Sequence, residues 1–228
     1  MSGPTLLPYG DGAVLVELAA AADVVALRDA LVRRAHPALR SVVSAARTVL
    51  VQFEPGAIAV AELQALVRSC QAVPPAAGVG PSAAAANPPA ANVPVVDQPA
   101  ANAPVVELVV RYDGADLDSV AELSGLTVLE VIHRHCAVDY IVQFCGFAPG
   151  FGYLTGLDPA LRLPRLSTPR PAVPAGSVAI AGEYTAIYPR SSPGGWRLLG
   201  RTDAVLFDLD RSRPALLAPG TVVRFCPR

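Results

Sequence analysis

The first third of the chain changes hydrophobic period in a regular way. After the turn signal Asp11-Gly12, Val14, Val16 and Leu18 alternate with Ala13, Leu15 and Glu17, which predicts a strand. Asp23 then reads as the N-cap of a helix running to about Ala35, with Val24, Leu27, Leu31 and Ala35 on one face. His36-Pro37 ends it, because a residue before proline is pushed out of the helical region. Residues 39–45 and 48–53 read as two strands, the second rich in valine and stopped by Glu54-Pro55-Gly56. A second helix follows to about Cys70, with Val60, Leu63, Val67 and Cys70 in a stripe. The order βαββα predicts a small α/β sandwich with its helices on one face of a sheet.

Residues 73–104 have a different composition. Eight of these 32 residues are proline, and most of the others are Ala, Val, Gly or Asn. The stretch from Ala90 to Asp97 is nearly repeated from Ala100 to Glu107, as expected of slippage in an extended linker. Three segments are therefore expected: a domain at 1–72, a linker at 73–104 and a second domain at 105–228. That second domain opens with a strand at 105–112. Two short helices follow, at 117–124 and 128–135, with Thr127 capping the latter. Short apolar runs then come at 140–144, 178–181, 186–188, 204–207 and 222–225, punctuated by Gly and Pro, which favours a β-barrel or sandwich.

Composition narrows the chemistry. The net charge is −1 with no long run of one sign, which argues against a main task of holding nucleic acid or an anionic membrane. All 18 basic residues are Arg. A Schiff-base lysine, a P-loop lysine and a Ser-Lys pair are thereby excluded from this chain. Cys70, Cys136, Cys145 and Cys226 form no C-x-x-C pair and are expected to be reduced thiols. No signal peptide is visible, and no apolar run reaches the ~18 residues of a membrane span, so a cytoplasmic location is expected.

Candidate chemistry concentrates between Gly146 and Thr202. Gly146-Phe147-Ala148-Pro149-Gly150-Phe151-Gly152-Tyr153 is followed by Val173-Pro174-Ala175-Gly176 and by Ala181-Gly182. Thr185-Ala186-Ile187-Tyr188-Pro189 and Ser192-Pro193-Gly194-Gly195-Trp196-Arg197 complete the set, with Gly200-Arg201-Thr202 behind them. These are loops whose glycines allow close backbone approach and whose amides, aromatics and arginines suit an anion; the alternative is structural glycines at barrel corners. His133 and His135 stand two apart on a helix and so face different ways, a poor metal pair. Asp208 and Asp210 read as turn residues. Neither a G-x-S-x-G elbow nor a phosphate loop ending in Lys is present. Residues 117–130 have the look of a helix-turn-helix, but the second helix offers Arg134 against Glu130 and lacks a basic reading face.

In the loop motifs just quoted, and more weakly at Leu7–Leu18 and 48–55, the chain resembles the family of allophanate hydrolase subunit 1, also known as the B-type component of 5-oxoprolinase. The resemblance implies an α+β fold: a ferredoxin-like α/β sandwich followed by a cyclophilin-like β-barrel. It also implies one component of a heteromeric ATP-dependent 5-oxoprolinase, inactive alone, that turns 5-oxoproline into glutamate. The partners would be the C-type component of 5-oxoprolinase, equivalent to allophanate hydrolase subunit 2, and a third protein of the A type. ATP would be the cosubstrate, with no metal in this chain. Other activities within the resemblance are carboxyl transfer from carboxybiotin to a urea-like amide and inhibition of a histidine kinase without catalysis. His135 matches a histidine common in the family and is carried as an acid–base candidate, with a packing or capping role as the alternative. Arg201 is the candidate charge contact, and Phe147, Pro149, Gly150, Phe151, Tyr153, Gly182, Thr185, Tyr188, Pro193, Gly194, Gly195, Trp196 and Thr202 are candidate binding residues. The chain departs from the family pattern at Ala148, Gly152 and Glu183-Tyr184, where the family usually has Met, Pro and Gly-Gln.

Overall fold

The computed structural model describes residues 4–71 and 105–228, so the expected linker at 73–104 lies outside the described residues. The chain divides into two compact units, Met1–Val95 and Val96–Arg228.

In the first unit, β1 (Thr5–Pro8), β2 (Ala13–Glu17), β3 (Leu39–Ser44) and β4 (Thr48–Phe53) form an antiparallel sheet in the order β1-β2-β4-β3. Helices α1 (Ala21–Arg34) and α2 (Val60–Gln71) share one core with it. Val14, Val16, Val49, Val51 and Phe53 supply the strand side of that core; Val24, Leu27, Leu31, Leu63 and Val67 supply the helix side. The two periods, 2 and 3.6, thus meet on one apolar layer. Two expectations change. The edge strand β1 was not anticipated, since it is mostly exposed and carries no alternation. Helix α1 starts from Ala20 without a side-chain cap, and Asp23 sits in its first turn, where a carboxylate still suits the helix dipole.

The second unit begins with β5 (Val106–Val110), α3 (Leu117–Ser124) and α4 (Val128–Cys136). Thr127 caps α4 as expected and closes a capping box with Glu130. Then come β6 (Tyr140–Cys145), β7 (Gly152–Thr155), a single 3-10 turn at Pro159–Leu161, β8 (Arg170–Val173), β9 (Ser177–Ala181) and β10 (Tyr184–Ile187). β11 (Ser192–Gly194), β12 (Arg197–Arg201) and β13 (Val222–Pro227) complete the unit. Seven strands make one sheet, ordered β12-β9-β10-β7-β6-β13-β5, with β8 and β11 as a separate ribbon. Arg111 and Arg201 then exchange two backbone hydrogen bonds of 2.8 Å just past β5 and at the end of β12. This bridge brings the two edges together into a nearly closed, barrel-like sheet. A Cβ at Gly200 would collide with the Arg111 carbonyl, so the seam requires glycine there. The run 204–207 is not the strand its apolar content predicts: Leu206 alone is buried, and Phe207 makes only an isolated bridge to Ala215.

Both faces of β9 and β10 are covered, and alternation gives each face its own character. Val178, Ile180, Thr185 and Ile187 face the larger core, which α3 and α4 help to build. Ala179, Ala181, Ala186 and Tyr188 face a smaller cluster filled by Phe151, Trp196 and Leu198. Three alanines leave room there for large rings.

Candidate functional site

The aromatic side of the sheet gathers most of the predicted loop residues. A β-bulge makes this possible. Val142 pairs with Leu154 and Phe144 with Tyr153, so Gln143 is an extra residue on β6. Without it Phe144 would face the same way as Val142; with it, Phe144 stacks on Tyr153 at 4.3 Å between centroids. Phe151 meets Tyr153, Tyr188 and Trp196 edge-to-face at 5.0, 5.3 and 5.7 Å. Tyr184 adds edge contacts to Phe144 and Tyr153 at 5.8 and 5.7 Å.

The loops that frame these rings are held by backbone constraints. Phe147 has φ 66°, uncommon for a bulky side chain, and its ring is 59% exposed while standing edge-on to Phe151 and Tyr188. Pro149-Gly150 turn the chain beneath it, and a side chain on Gly150 would press on Phe207. Gly194 lies against the Tyr188 hydroxyl so closely that a Cβ would collide with it. Pro193 is exposed beside it in β11, and the Gly195 carbonyl accepts a 2.7 Å hydrogen bond from the Leu166 amide. Trp196 is only 5% exposed, with the Arg165 guanidinium 5.8 Å from its ring centroid. Gly182 makes the β9–β10 turn at φ 57° and donates its amide to the Leu163 carbonyl.

The electrostatics favour neutral, desolvated phenols. Burial pushes the Tyr188 hydroxyl up, partly offset by the Trp196 amide and by Arg165 and Arg170 nearby. Burial also raises Tyr153, and raises Tyr184 to about 12 with help from the Glu183 carboxylate.

His135 belongs to the other face. It is fully buried, stacked on Phe225 at 4.6 Å, and both ring nitrogens are engaged. Thr185 donates its hydroxyl to the Ala179 carbonyl at 3.1 Å, so its oxygen accepts from His135 Nε2–H at 2.9 Å. Nδ1 is then the acceptor for the Tyr112 hydroxyl at 2.7 Å, and Cys136 Sγ lies 3.1 Å from the same phenol oxygen. Burial pushes the imidazole down to about 3 and keeps it neutral. Neither nitrogen is left for a reacting atom. The acid–base expectation for His135 therefore gives way to a packing role, and Thr185, fully buried as its partner, is enclosed with it. His133 does face elsewhere, lining a shallow surface hollow with Leu129 and Arg134.

Arg201 and Thr202 occupy a third place, at the seam of the sheet. They line a depression of about 460 Å3 together with Arg111, Asp203 and Arg228. The Arg201 side chain is 58% exposed and pairs with Asp113 at 2.9 Å. Asp208 caps a turn, accepting the Asp210 amide at 3.0 Å. The cysteines make no disulfide among the described residues, and no cluster there of three or more His, Cys, Asp or Glu could hold a metal. Among the described residues no helix is long and apolar enough to cross a membrane.

Arg165, Arg170, Asp116, Phe144 and Tyr184 are part of this geometry without having been singled out as site residues. Arg170 and Asp116 meet across 54 positions of sequence at 2.7 Å. Only the Arg165 to Trp196 pairing had a sequence cue, the single tryptophan in an arginine-bearing region.

A barrel-like sheet carrying glycine- and aromatic-rich loops places the chain in a defined class. The family described as carboxyltransferase domain, subdomain C and D, matches residues 4–217, and the chain belongs to it. Among relatives, a protein of Escherichia coli O157:H7 named as the B subunit of 5-oxoprolinase is 48% identical over 126 residues, 54% of this chain and 58% of that protein. A Bacillus subtilis protein of the same name is 46% identical over 123 residues, 53% of this chain and 51% of its own length. These matches thus span little more than half of each curated relative. Among solved structures, TTHA0988 is 34% identical with a TM-score of 0.73, covering 95% of this chain and 40% of that one. The Kluyveromyces lactis urea carboxylase shares the fold at 19% identity and a TM-score of 0.70, over 99% of this chain and 22% of that one.

Proposed function

We propose that this chain is the B-type component of a heteromeric, ATP-dependent 5-oxoprolinase that opens 5-oxoproline to glutamate in the cytoplasm. The observation that carries the reading is the 46–48% identity to proteins named as the B subunit of 5-oxoprolinase from three organisms. The chain requires a C-type and an A-type partner, and ATP enters through the assembled complex. Its ferredoxin-like and cyclophilin-like units serve as the frame. In this reading the aromatic loops around Phe147, Phe151, Tyr153, Tyr188, Gly194, Gly195 and Trp196 form the wall against which substrate is placed. Arg201, beside Thr202 in the separate depression at the seam, contacts a phosphate oxygen through its planar fork. Gly amides and arginines position an anion rather than supply a nucleophile, in keeping with a chain that has no lysine.

Carboxyl transfer to a urea-like amide is the second reading, favoured by the fold shared with urea carboxylase. The carboxybiotin would then ride on another protein, since this chain has no lysine to carry it. The test mixes the chain, copurified with C-type and A-type partners, with ATP and 5-oxoproline and measures glutamate. Glutamate formation that requires all three proteins and weakens in Arg201→Ala is expected. A complex that carboxylates urea and makes no glutamate would replace the first reading with the second.

A further inference from the structure

We infer that Arg170, together with Arg165, forms a carboxylate-binding subsite at the rim of the aromatic cluster around Tyr188 and Trp196. The inference deepens the function proposed above and rests on it for the choice of ligand, while its geometry stands alone.

Arg170 opens β8 and pairs with Gly194 of β11. Its Nη2 donates to Asp116 Oδ1 at 2.7 Å. Asp116 is itself buried, and its other oxygen accepts the Leu198 amide at 2.7 Å. One arm of the guanidinium is thus fixed by a carboxylate that the backbone fixes in turn. The other arm, Nη1, is buried without a hydrogen-bond partner among the described residues. A buried donor of this kind is rare in folded proteins and calls for an acceptor. The side chain as a whole is 28% exposed, so a small shift of the guanidinium brings Nη1 to the surface, where an acceptor can meet it.

The surroundings indicate what that acceptor belongs to. Gly194, the strand partner of Arg170, rests directly on the Tyr188 hydroxyl. That hydroxyl accepts the Trp196 amide and lies in the field of both Arg165 and Arg170. Arg165 is held over the Trp196 ring because its chain is tied down on both sides: Leu166 N to Gly195 O at 2.7 Å, and Arg197 Nε to Pro164 O at 3.0 Å. Two guanidinium groups therefore lie within electrostatic reach of one phenol at the edge of the cluster. A planar fork with one arm engaged presents its second N–H arm to a carboxylate oxygen. Tyr188 and Trp196 are themselves buried, a low-polarity setting that strengthens the hold on a carboxylate.

Trp196 is the only tryptophan in the chain, so its fluorescence reports on this place alone. The full chain would be titrated with 5-oxoproline, with the uncharged lactam 2-pyrrolidinone, and with inorganic phosphate. A saturable change with 5-oxoproline and none with 2-pyrrolidinone is expected. Affinity should fall at least tenfold in Arg170→Lys, which keeps a charge for Asp116 but loses the second arm, and at least threefold in Arg165→Ala. Arg68→Ala, on α2 of the first unit, serves as the control with unchanged affinity. Circular dichroism and thermal melting identify a variant that has simply unfolded, and the exposed Arg165 keeps the test decisive if Arg170→Lys does. Equal responses to the charged and uncharged lactams, unchanged affinity in both arginine variants, or no response at all would overturn the subsite. Phosphate binding as tightly as 5-oxoproline would overturn the carboxylate assignment. Because the readout is binding to the isolated chain, these failures are distinct from a failure of glutamate formation in the complex.

Discussion

The His135 network and the Phe147–Trp196 loops occupy opposite faces of the same two strands, and the contrast between them separates support from site. On one face Thr185 links the neutral His135 to the β9 backbone, and Phe225 and Tyr140 close over the ring. Every polar atom of that imidazole has a partner and none reaches solvent. On the other face the rings pack edge-to-face around three alanines, Phe147 projects outward in a strained backbone conformation, and a guanidinium nitrogen lacks a partner. Satisfied and enclosed groups stabilise; strained, exposed and unsatisfied ones are where a ligand gains most.

The largest effect should come from breaking the enclosed face. His135→Ala leaves a cavity and strips Tyr112 and Thr185 of their partner, so unfolding in denaturant should show a loss of about 3–5 kcal/mol. The next effect is one of pH. His135 is held at about 3, far below its ordinary value, and it is faced by Tyr112, Tyr140 and Cys136, all raised and neutral. Below a pH of about 6.5 the unfolded chain takes up a proton that the folded imidazole refuses. Stability from this group is therefore full above pH ~6.5 and declines as pH falls toward 3, by up to about 1.4 kcal/mol per pH unit. His135→Gln should be less stable at pH 7.5 yet show a shallower decline between pH 6.5 and 4.5; parallel curves would remove His135 as the cause.

The loop face should respond in function more than in stability. Gly194→Ala forces the Tyr188 hydroxyl to move and should cost about 1–3 kcal/mol while lowering glutamate formation by the complex at least tenfold. Phe147→Gly relieves the positive φ and removes an exposed ring, so its melting curve should shift by less than about 1 kcal/mol equivalent. The same variant should lower turnover at least fivefold. Full turnover in Phe147→Gly would erase the functional half of the contrast.

The two units were unequally legible in the sequence. In the first, valines at every second position and apolar stripes at helical spacing mark β2, β4, α1 and α2, with the N-cap of α1 three residues before the expected one. In the second, β8, β11 and β12 are short and rich in Pro, Gly or Arg, and their extended form comes from pairing rather than from propensity. The loops of the site were visible as a density of glycine and aromatics. The Asp116–Arg170 clamp was not, because isolated charges have no period and only tertiary pairing brings them together. His135 was visible both as an acid–base candidate and as a packing or capping residue, and its burial with both ring nitrogens engaged favours packing.

Hydrogen–deuterium exchange on the assembled three-protein complex, with and without 5-oxoproline and ATP, tests the central claim most directly. Substrate should add protection in 146–153 and 192–197, with 135–136 unchanged. Glutamate formation with no added protection in those two loops would contradict it.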